Sequence, residues 1–421
     1  MHGASVKLMA LILLLNHATP ISSPGALFSM EQNPKTYTVH FLESLTLLGA
    51  NKWNGLTGIE NPFTRYEFLH ELERTGCTSK TSGWQPFHVA VYAGSEASVL
   101  SDQPIAVMPL YLKTNSWGEY VFDWSWANAY QSHGLDYYPK LVTAAPFTPS
   151  QGKRIFVAPG YEQRAVTEVI IKNVQEKAKS MQVSSWHVLF PDPDQHEQLS
   201  ALGLMPRIAT QFHWFNKGYE SFDHFLEALN SRKRKSIRKE RRNVQEQGFQ
   251  FKVTEGADIT EAQWADFYLF YQSTYLVRGM QGYLKSSFFR GVAETMPEQI
   301  FMINAELEGN TIAAALFFKN TDKLFGRYWG CRADYQFLHF ETCYYQGQEY
   351  AIANGIKSFD SGAQGEHKIQ RGFEPIETYS EHWIANEGFA QAIANFLQEE
   401  RPHIKSYQEE ARQLLPFRQA G

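Results

Sequence analysis

The sequence predicts a mixed α/β (α+β) fold made of two similar halves, on three observations. Short apolar strands alternate with amphipathic helices from Thr36 onward. After Asn216 the same order begins again: helix, hairpin, strand, long helix, short buried strand, closing strand. The 421 residues are 43% hydrophobic and 20% charged, which suits two or three domains and excludes disorder. Hairpins combined with helical crossovers imply mixed sheets, not a doubly wound parallel one.

In the first half, residues 37–41 read as a strand. Residues 62–74 carry Phe63, Tyr66, Leu69 and Leu72 at helical spacing. Segments 87–93 and 104–113 read as a hairpin, with 118–126 and 154–157 as further strands. A long helix spans 162–181, with Val166, Val169, Ile170, Val174 and Ala178 on one side. The strand 186–190 ends at Pro191-Asp192-Pro193, and 211–215 is another strand.

In the second half, 222–229 is a short helix and 231–247 a basic one stopped by Gly248. Strand 249–253 precedes helix 260–275, whose Thr260 and Gln263 form a capping box. A hairpin joins 301–307 to 311–319 around Glu308-Gly309-Asn310. Strand 323–331, helix 337–354, strand 358–360 and strand 377–384 follow, then a helix to about residue 415. The boundary falls between 31–216 and 217–421. No Pro/Gly/Ser linker marks it, so the halves are expected to pack tightly.

Residues 1–30 stand outside this pattern. Lys7, the apolar run Leu8 to Leu15 and the small residues Ala18, Ser22, Ser23 and Ala26 resemble a signal peptide. The run is shorter than the ~20 residues of a membrane span. The competing reading is an over-long start before Met30. The expected location is the cytoplasm, with export as the alternative. Three cysteines, Cys77, Cys331 and Cys343, form no disulfide framework or metal-ligand spacing, so no metal is expected.

The net charge is −5, which disfavours a globally basic nucleic-acid binder. It hides a local exception. Residues 232–242 hold eight basic residues and one acidic, a net +7. On a helix Arg234, Arg238 and Arg241 share a face, with Lys235, Lys239 and Arg242 beside it. Like charges at that spacing repel, so the pattern points either to an anion such as a donor phosphate or to pairing with acidic neighbours.

A second motif is Ser361-Gly362-Ala363-Gln364-Gly365-Glu366-His367-Lys368-Ile369-Gln370-Arg371-Gly372-Phe373, after a short strand. Its glycines let backbone approach a ligand. Glu366, His367, Lys368 and Arg371 supply a base, a shuttle and two cations, as amine acylation requires. A third is Arg327-Tyr328-Trp329-Gly330-Cys331 with Leu338-His339-Phe340-Glu341-Thr342-Cys343, where His339 and Glu341 are pocket candidates. Aromatics are 14% of the chain. They concentrate at Tyr120, Trp124, Trp126 and Tyr138, and again around Tyr271 to Phe289 with Thr274, Tyr275, Arg278 and Tyr283. Tyr120, Trp124, Trp126, Tyr138, Tyr283, Trp329 and Gln364 are the expected substrate-pocket residues.

On these motifs, with Gly118-Glu119-Tyr120-Val121-Phe122-Asp123-Trp124, Tyr138-Pro139-Lys140-Leu141, Pro146-Phe147-Thr148-Pro149 and Gln211-Phe212-His213-Trp214, the chain resembles the FemAB-like branch of the GNAT acyltransferase superfamily. More closely it resembles the family labelled peptidoglycan biosynthesis/recognition or GNAT N-acetyltransferase. The resemblance covers about residues 36–385. It implies two tandem GNAT-like domains and an acyl or aminoacyl transfer to a primary amine. The implied donor is acyl-CoA (acetyl-CoA) or, as in Fem enzymes, aminoacyl-tRNA. The implied acceptor is a small amine or a muropeptide. Glu366 or Glu341 would be the base, with His367 or His339 assisting. Lys368 and Arg371 would stabilise an oxyanion or hold a donor phosphate. Arg234, Lys235, Arg238 and Arg241 would dock the phosphorylated donor. One departure stands out: Cys331-Arg332-Ala333-Asp334-Tyr335-Gln336 lacks the glycines that usually cradle the CoA pyrophosphate. A non-catalytic recognition module is the rival reading.

Overall fold

The computed structural model describes residues 36–95, 102–363 and 365–418. The signal-like stretch and Gln364 lie outside the described residues.

Each half contains a strand, a helix and a second strand parallel to the first. In the first half Lys140–Thr143 runs parallel to Ser185–Leu189, with helix Gln163–Ser180 between them in sequence. In the second, Lys323–Cys331 runs parallel to Ser358–Asp360, with the helical stretch from Leu338 to Ala353 between them. A parallel pair needs such a crossover. Antiparallel strands precede both units.

The halves then interlock. Strand Met205–Phe215, from the first half, pairs with Ser358–Asp360 of the second. Strand Glu374–Ile384, from the second, pairs with Ser185–Leu189 of the first. Both meet in one antiparallel ladder from Glu374↔His213 to His382↔Met205. One eleven-stranded sheet therefore runs through the molecule, with this exchanged pair at its centre. The largest apolar core draws on both halves as well, joining Trp53, Phe63, Phe68 and Tyr111 to Phe267, Phe288, Phe318 and Phe325.

Two expectations fail for local reasons. The hairpin 87–93/104–113 splits between sheets. Ala106–Met108 pairs with His88–Ala93 in a four-stranded sheet, while Tyr111–Lys113 pairs with Trp84–Pro86 in the large one. Pro86 and Pro109 sit at the two changes of sheet and remove ladder donors there. Segment 118–126 is not a strand. Tyr120 has a left-handed φ of 61°, and helix Trp124–Ser132 begins where the strand should end. Helices Gly49–Thr57, Pro193–Ala201 and Ser286–Thr295 were not expected. The helix Glu261–Leu276 has its capping box as expected. Among the described residues no helix is long and apolar enough to cross a membrane.

Candidate active site

The site begins where a ladder stops. Parallel pairing ends at Phe325↔Asp360, while the first strand runs on to Cys331. Its register against Asn310–Lys319 also slips there, from Leu316↔Tyr328 to Phe317↔Gly326, so Arg327 is the extra residue of a bulge. Bulges re-aim side chains. The Arg327 guanidinium turns to Asp360, at 3.1 and 2.6 Å from its two oxygens, and Nε donates to Thr148 Oγ1 at 2.7 Å. Burial opposes the Asp360 charge, but Arg327 and His213 outweigh it and hold the carboxyl well below its usual range. Burial in turn pushes His213 down to about 4.

Two cavities open at this divergence and share Arg327, Tyr328 and Trp329. The smaller, about 160 Å³, adds His339, Cys343, Tyr344 and Ser361. The larger, about 450 Å³, lies between the halves and is mostly aromatic, with Tyr120, Trp124, Tyr275 and Tyr283 among its walls. Gly330 lets helix Glu261–Leu276 approach, since a Cβ there would sit 2.1 Å from the Phe270 carbonyl oxygen. That contact brings Thr274, Tyr275 and Arg278 to the cavity, and Thr274 Oγ1 donates to the Trp329 carbonyl at 2.9 Å. The Tyr328 hydroxyl is buried with no hydrogen-bond partner.

Of the expected catalytic residues, His339 lines the smaller cavity, its ring 5.1 Å from Trp329. Burial and the nearby His367, Arg371 and Lys368 push its pKa down to about 4, so it is neutral at pH 7. His367 is beside it (ring centroids 6.1 Å apart) and bonds the Tyr344 hydroxyl through Nε2 at 2.9 Å. Burial drives the Cys343 thiol well above its ordinary range, which leaves it un-ionised and a poor nucleophile.

Other expected roles are redirected. Glu341 is buried, accepts from Arg241 through both oxygens at 2.8 to 3.1 Å, and lines neither cavity, so it is an ion-pair partner. Glu366 is exposed and accepts from the Tyr407 hydroxyl at 2.9 Å on the C-terminal helix. Buried Lys368 donates to the Ser361 and Gly362 carbonyls at 3.0 and 2.9 Å, anchoring the glycine loop, and burial lowers its pKa to about 8. Arg371 lies 3.4 Å over the Phe340 ring and pairs with Glu240 at 2.9 Å. Arg241 is taken by Glu341 and Glu349, and Arg238 by Asp223. Arg234 and Lys235 have no carboxylate partner among the described residues.

Of the expected pocket residues, Tyr120, Trp124, Tyr283 and Trp329 line the larger cavity. Trp126 does not: it packs edge-on to His382, 4.9 Å away, in the interior. Tyr138 stands behind the wall and bonds Ser116 at 2.8 Å. The Arg327–Asp360 ion pair was not expected, although Arg327 opens the third motif and Asp360 immediately precedes the second. Among the described residues no group of three or more His, Cys, Asp or Glu is placed to hold a metal ion.

This arrangement sits in a recognised family. A family model described as FemAB-like, peptidoglycan biosynthesis/recognition, matches residues 44–419, and the chain belongs to that family. Among solved structures it is similar to FemX, at 12% identity over 78% of this chain and 94% of that one, with a TM-score of 0.46. It is also similar to a tandem GNAT protein from the clavulanic acid biosynthesis pathway, at 11% identity, 83% and 99% coverage and a TM-score of 0.46. A third is L-PGS from Bacillus licheniformis, at 9% identity, 82% and 97% coverage and a TM-score of 0.46. No curated protein matches the sequence.

Proposed function

We propose that this chain is an N-acyltransferase or aminoacyltransferase that acylates a primary amine in peptidoglycan metabolism. The observation that carries the reading is the pair of cavities meeting at the Arg327 bulge, in a chain of the FemAB-like family. A donor carbonyl and an acceptor amine can meet at that shared edge without either occupying the other's space. Attack on the carbonyl requires the amine to lose a proton. His339 is the neutral base at the edge, and His367 with Tyr344 leads from it toward solvent. Backbone N–H groups on the edge of the bulged strand that loses Ser358–Asp360 as a partner beyond Phe325 are the candidate oxyanion donors.

The donor is acyl-CoA or aminoacyl-tRNA. The half-buried Arg234 and the exposed Lys235, neither paired with a carboxylate among the described residues, favour a phosphorylated donor of either kind. Both are made inside the cell, so the reading carries a cytoplasmic location with it. The test is single-turnover transfer from acetyl-CoA and from charged tRNA to muropeptide amines. His339→Gln should lower the rate at least a hundredfold while thermal melting stays unchanged. A near-normal rate removes His339 from the chemistry. Muropeptide binding with no consumption of either donor would establish the recognition module instead.

A further inference from the structure

Residues 114–123 join strand Tyr111–Lys113 to helix Trp124–Ser132 and belong to no strand or helix. No ladder fixes this segment, yet it gives the larger cavity Ser116, Trp117, Gly118, Tyr120 and Phe122, with Trp124 directly after it. Its backbone is unfavourable as well, since Tyr120 has a left-handed φ of 61°. Such a conformation persists only where its surroundings over-determine it.

Beneath the segment lies a sealed set of charges. Lys113, Lys140, Glu119 and Asp123 are all buried, two basic and two acidic. An ammonium has three donors and no acceptor. The segment meets all three on Lys140: Nζ donates to Ser116 Oγ at 2.9 Å, to Glu119 Oε2 at 2.8 Å, and to Asp123 Oδ2. Burial opposes the Lys140 charge, but Glu119 and Asp123 outweigh it and raise its pKa. Lys113 Nζ and Trp84 Nε1 donate to the Trp117 carbonyl at 3.1 and 2.9 Å. The Tyr137 hydroxyl donates to Asp123 Oδ2 at 2.6 Å and lies 3.1 Å from His187 Nε2. His187 Nδ1 in turn meets His382, on the strand Glu374–Ile384 of the second half, at 2.8 Å.

We propose that Lys140 is a positioning residue for the larger cavity: by gathering Ser116, Glu119 and Asp123 under one ammonium, it sets Trp117, Tyr120, Phe122 and Trp124 in the cavity wall. The effect on substrate rests on reading that cavity as part of the transfer site. Lys140 lines neither cavity, so it acts only through the segment it holds. Charges are a costly way to fill a core, because apolar residues of similar volume often give equal or greater stability. Three directed bonds add something packing alone does not, which is one conformation of a segment that has no ladder of its own. The link through Tyr137, His187 and His382 seats this wall on the strand exchanged between the halves.

The obvious variant, Lys140→Met, leaves two buried carboxylates against one ammonium and is not used alone. Lys140→Met/Asp123→Asn removes one charge of each sign, keeps Lys113 with Glu119, and should fold. The experiment is hydrogen exchange, followed by mass spectrometry, on the full-length protein and this double variant. Amides of residues 114–123 should exchange about tenfold faster in the variant, with the urea midpoint and the rest of the chain unchanged. In the transfer assay KM for the muropeptide amine should rise about tenfold with kcat little altered, the mark of lost positioning and not of lost chemistry. Unchanged exchange in 114–123 overturns the proposal. Faster exchange across the whole chain with a lower urea midpoint overturns it too, as that marks a purely structural role. So does a looser segment with an unchanged KM. If the parent protein consumes no donor, the transferase reading fails by itself. The calorimetric Kd for the muropeptide then replaces KM: a loss of about tenfold in the variant supports the role of Lys140, and an equal Kd refutes it.

Discussion

The two parallel strand pairs are built alike and finished differently. Each diverges after three rungs, at Thr143↔Val188 in the first half and Phe325↔Asp360 in the second. Divergence leaves carbonyls without ladder partners, and buried carbonyls must find donors. In the first half one side chain closes the gap. Arg154 is fully buried and donates from Nε to Leu189 at 2.9 Å, from one terminal nitrogen to Gly152 and Lys153 at 3.0 Å each, and from the other to Ser150. The Gln195 side chain accepts from the backbone N–H groups of Arg154 and Ile155 and donates to the Ile155 carbonyl. In the second half two cations share the task, Arg327 on Asp360 and Lys368 on the loop, and a cavity with His339 remains. The topology supplies a cleft twice. The side chain that fills it decides whether chemistry is possible there.

The largest expected effect breaks the plug. Arg154→Met strips donors from four carbonyls, at a cost of about 3–5 kcal/mol by urea unfolding. The transfer rate per folded molecule should not change. Lys368→Met strips two carbonyls and should cost only about 1–3 kcal/mol, yet turnover should fall at least tenfold as the glycine loop loses its anchor. If Arg154→Met abolishes transfer in folded protein, the two clefts are not the inert and active versions of one device.

A smaller effect separates two buried histidines, His187 on the strand Ser185–Leu189 of the first half and His339 in the second cleft. Burial pushes His187 down to about 3 and His339 to about 4, against about 6.5 unfolded. The unfolded chain therefore binds more protons below pH 6.5, and stability falls as pH drops from 6.5 toward 4. His339→Gln should reduce that slope by about 1 kcal/mol per pH unit with little change at pH 7.5. His187→Gln should reduce the slope as well, but unlike His339→Gln it should also destabilise at pH 7.5, because its Nδ1 faces that of His382 at 2.8 Å and its Nε2 bonds Ser185 and Tyr137. Unfolding midpoints at pH 7.5, 6 and 5 measure both. A loss for His339→Gln already present at pH 7.5 would mean its ring is also held by packing and hydrogen bonds, like that of His187.

Much of this architecture is local and was legible. Helical spacing, the capping box at Thr260 and the turn at Gly309 each act within a few residues. The exchange of Met205–Phe215 and Glu374–Ile384 is not local, and either strand alone reads as an ordinary closing strand. The ion pairs are equally silent: Arg327 meets Asp360 across 33 residues, and Glu341 meets Arg241 across 100. Acidic residues beside the glycine loop looked like bases because composition shows which groups are present and not which are already paired. Trp124 and Trp126 looked alike for a similar reason. Two residues apart on a helix they point to opposite sides, one to the cavity and one to the interior.

The smallest stability effect belongs to the basic helix Ser231–Glu246, which is attached to the second cleft. Its inner side is fixed: Ile237 and Val244 are buried, Arg241 holds Glu341 and Glu349, and Glu240 holds Arg371 beneath the glycine loop. Arg234 and Lys235 take no part in that attachment. Replacing both by Ala should change stability by no more than about 0.5 kcal/mol, as for surface charges in general. If they hold phosphates of a charged tRNA, the same variant should weaken tRNA binding and lower its log–log salt slope by about 1.5, since each phosphate contact contributes about 0.7–0.9. Acetyl-CoA affinity should then be unaltered. A variant that loses acetyl-CoA instead, with tRNA binding intact, would assign the outer face of the helix to the smaller donor. A variant that loses neither would make the +7 segment only a scaffold for the cleft it adjoins.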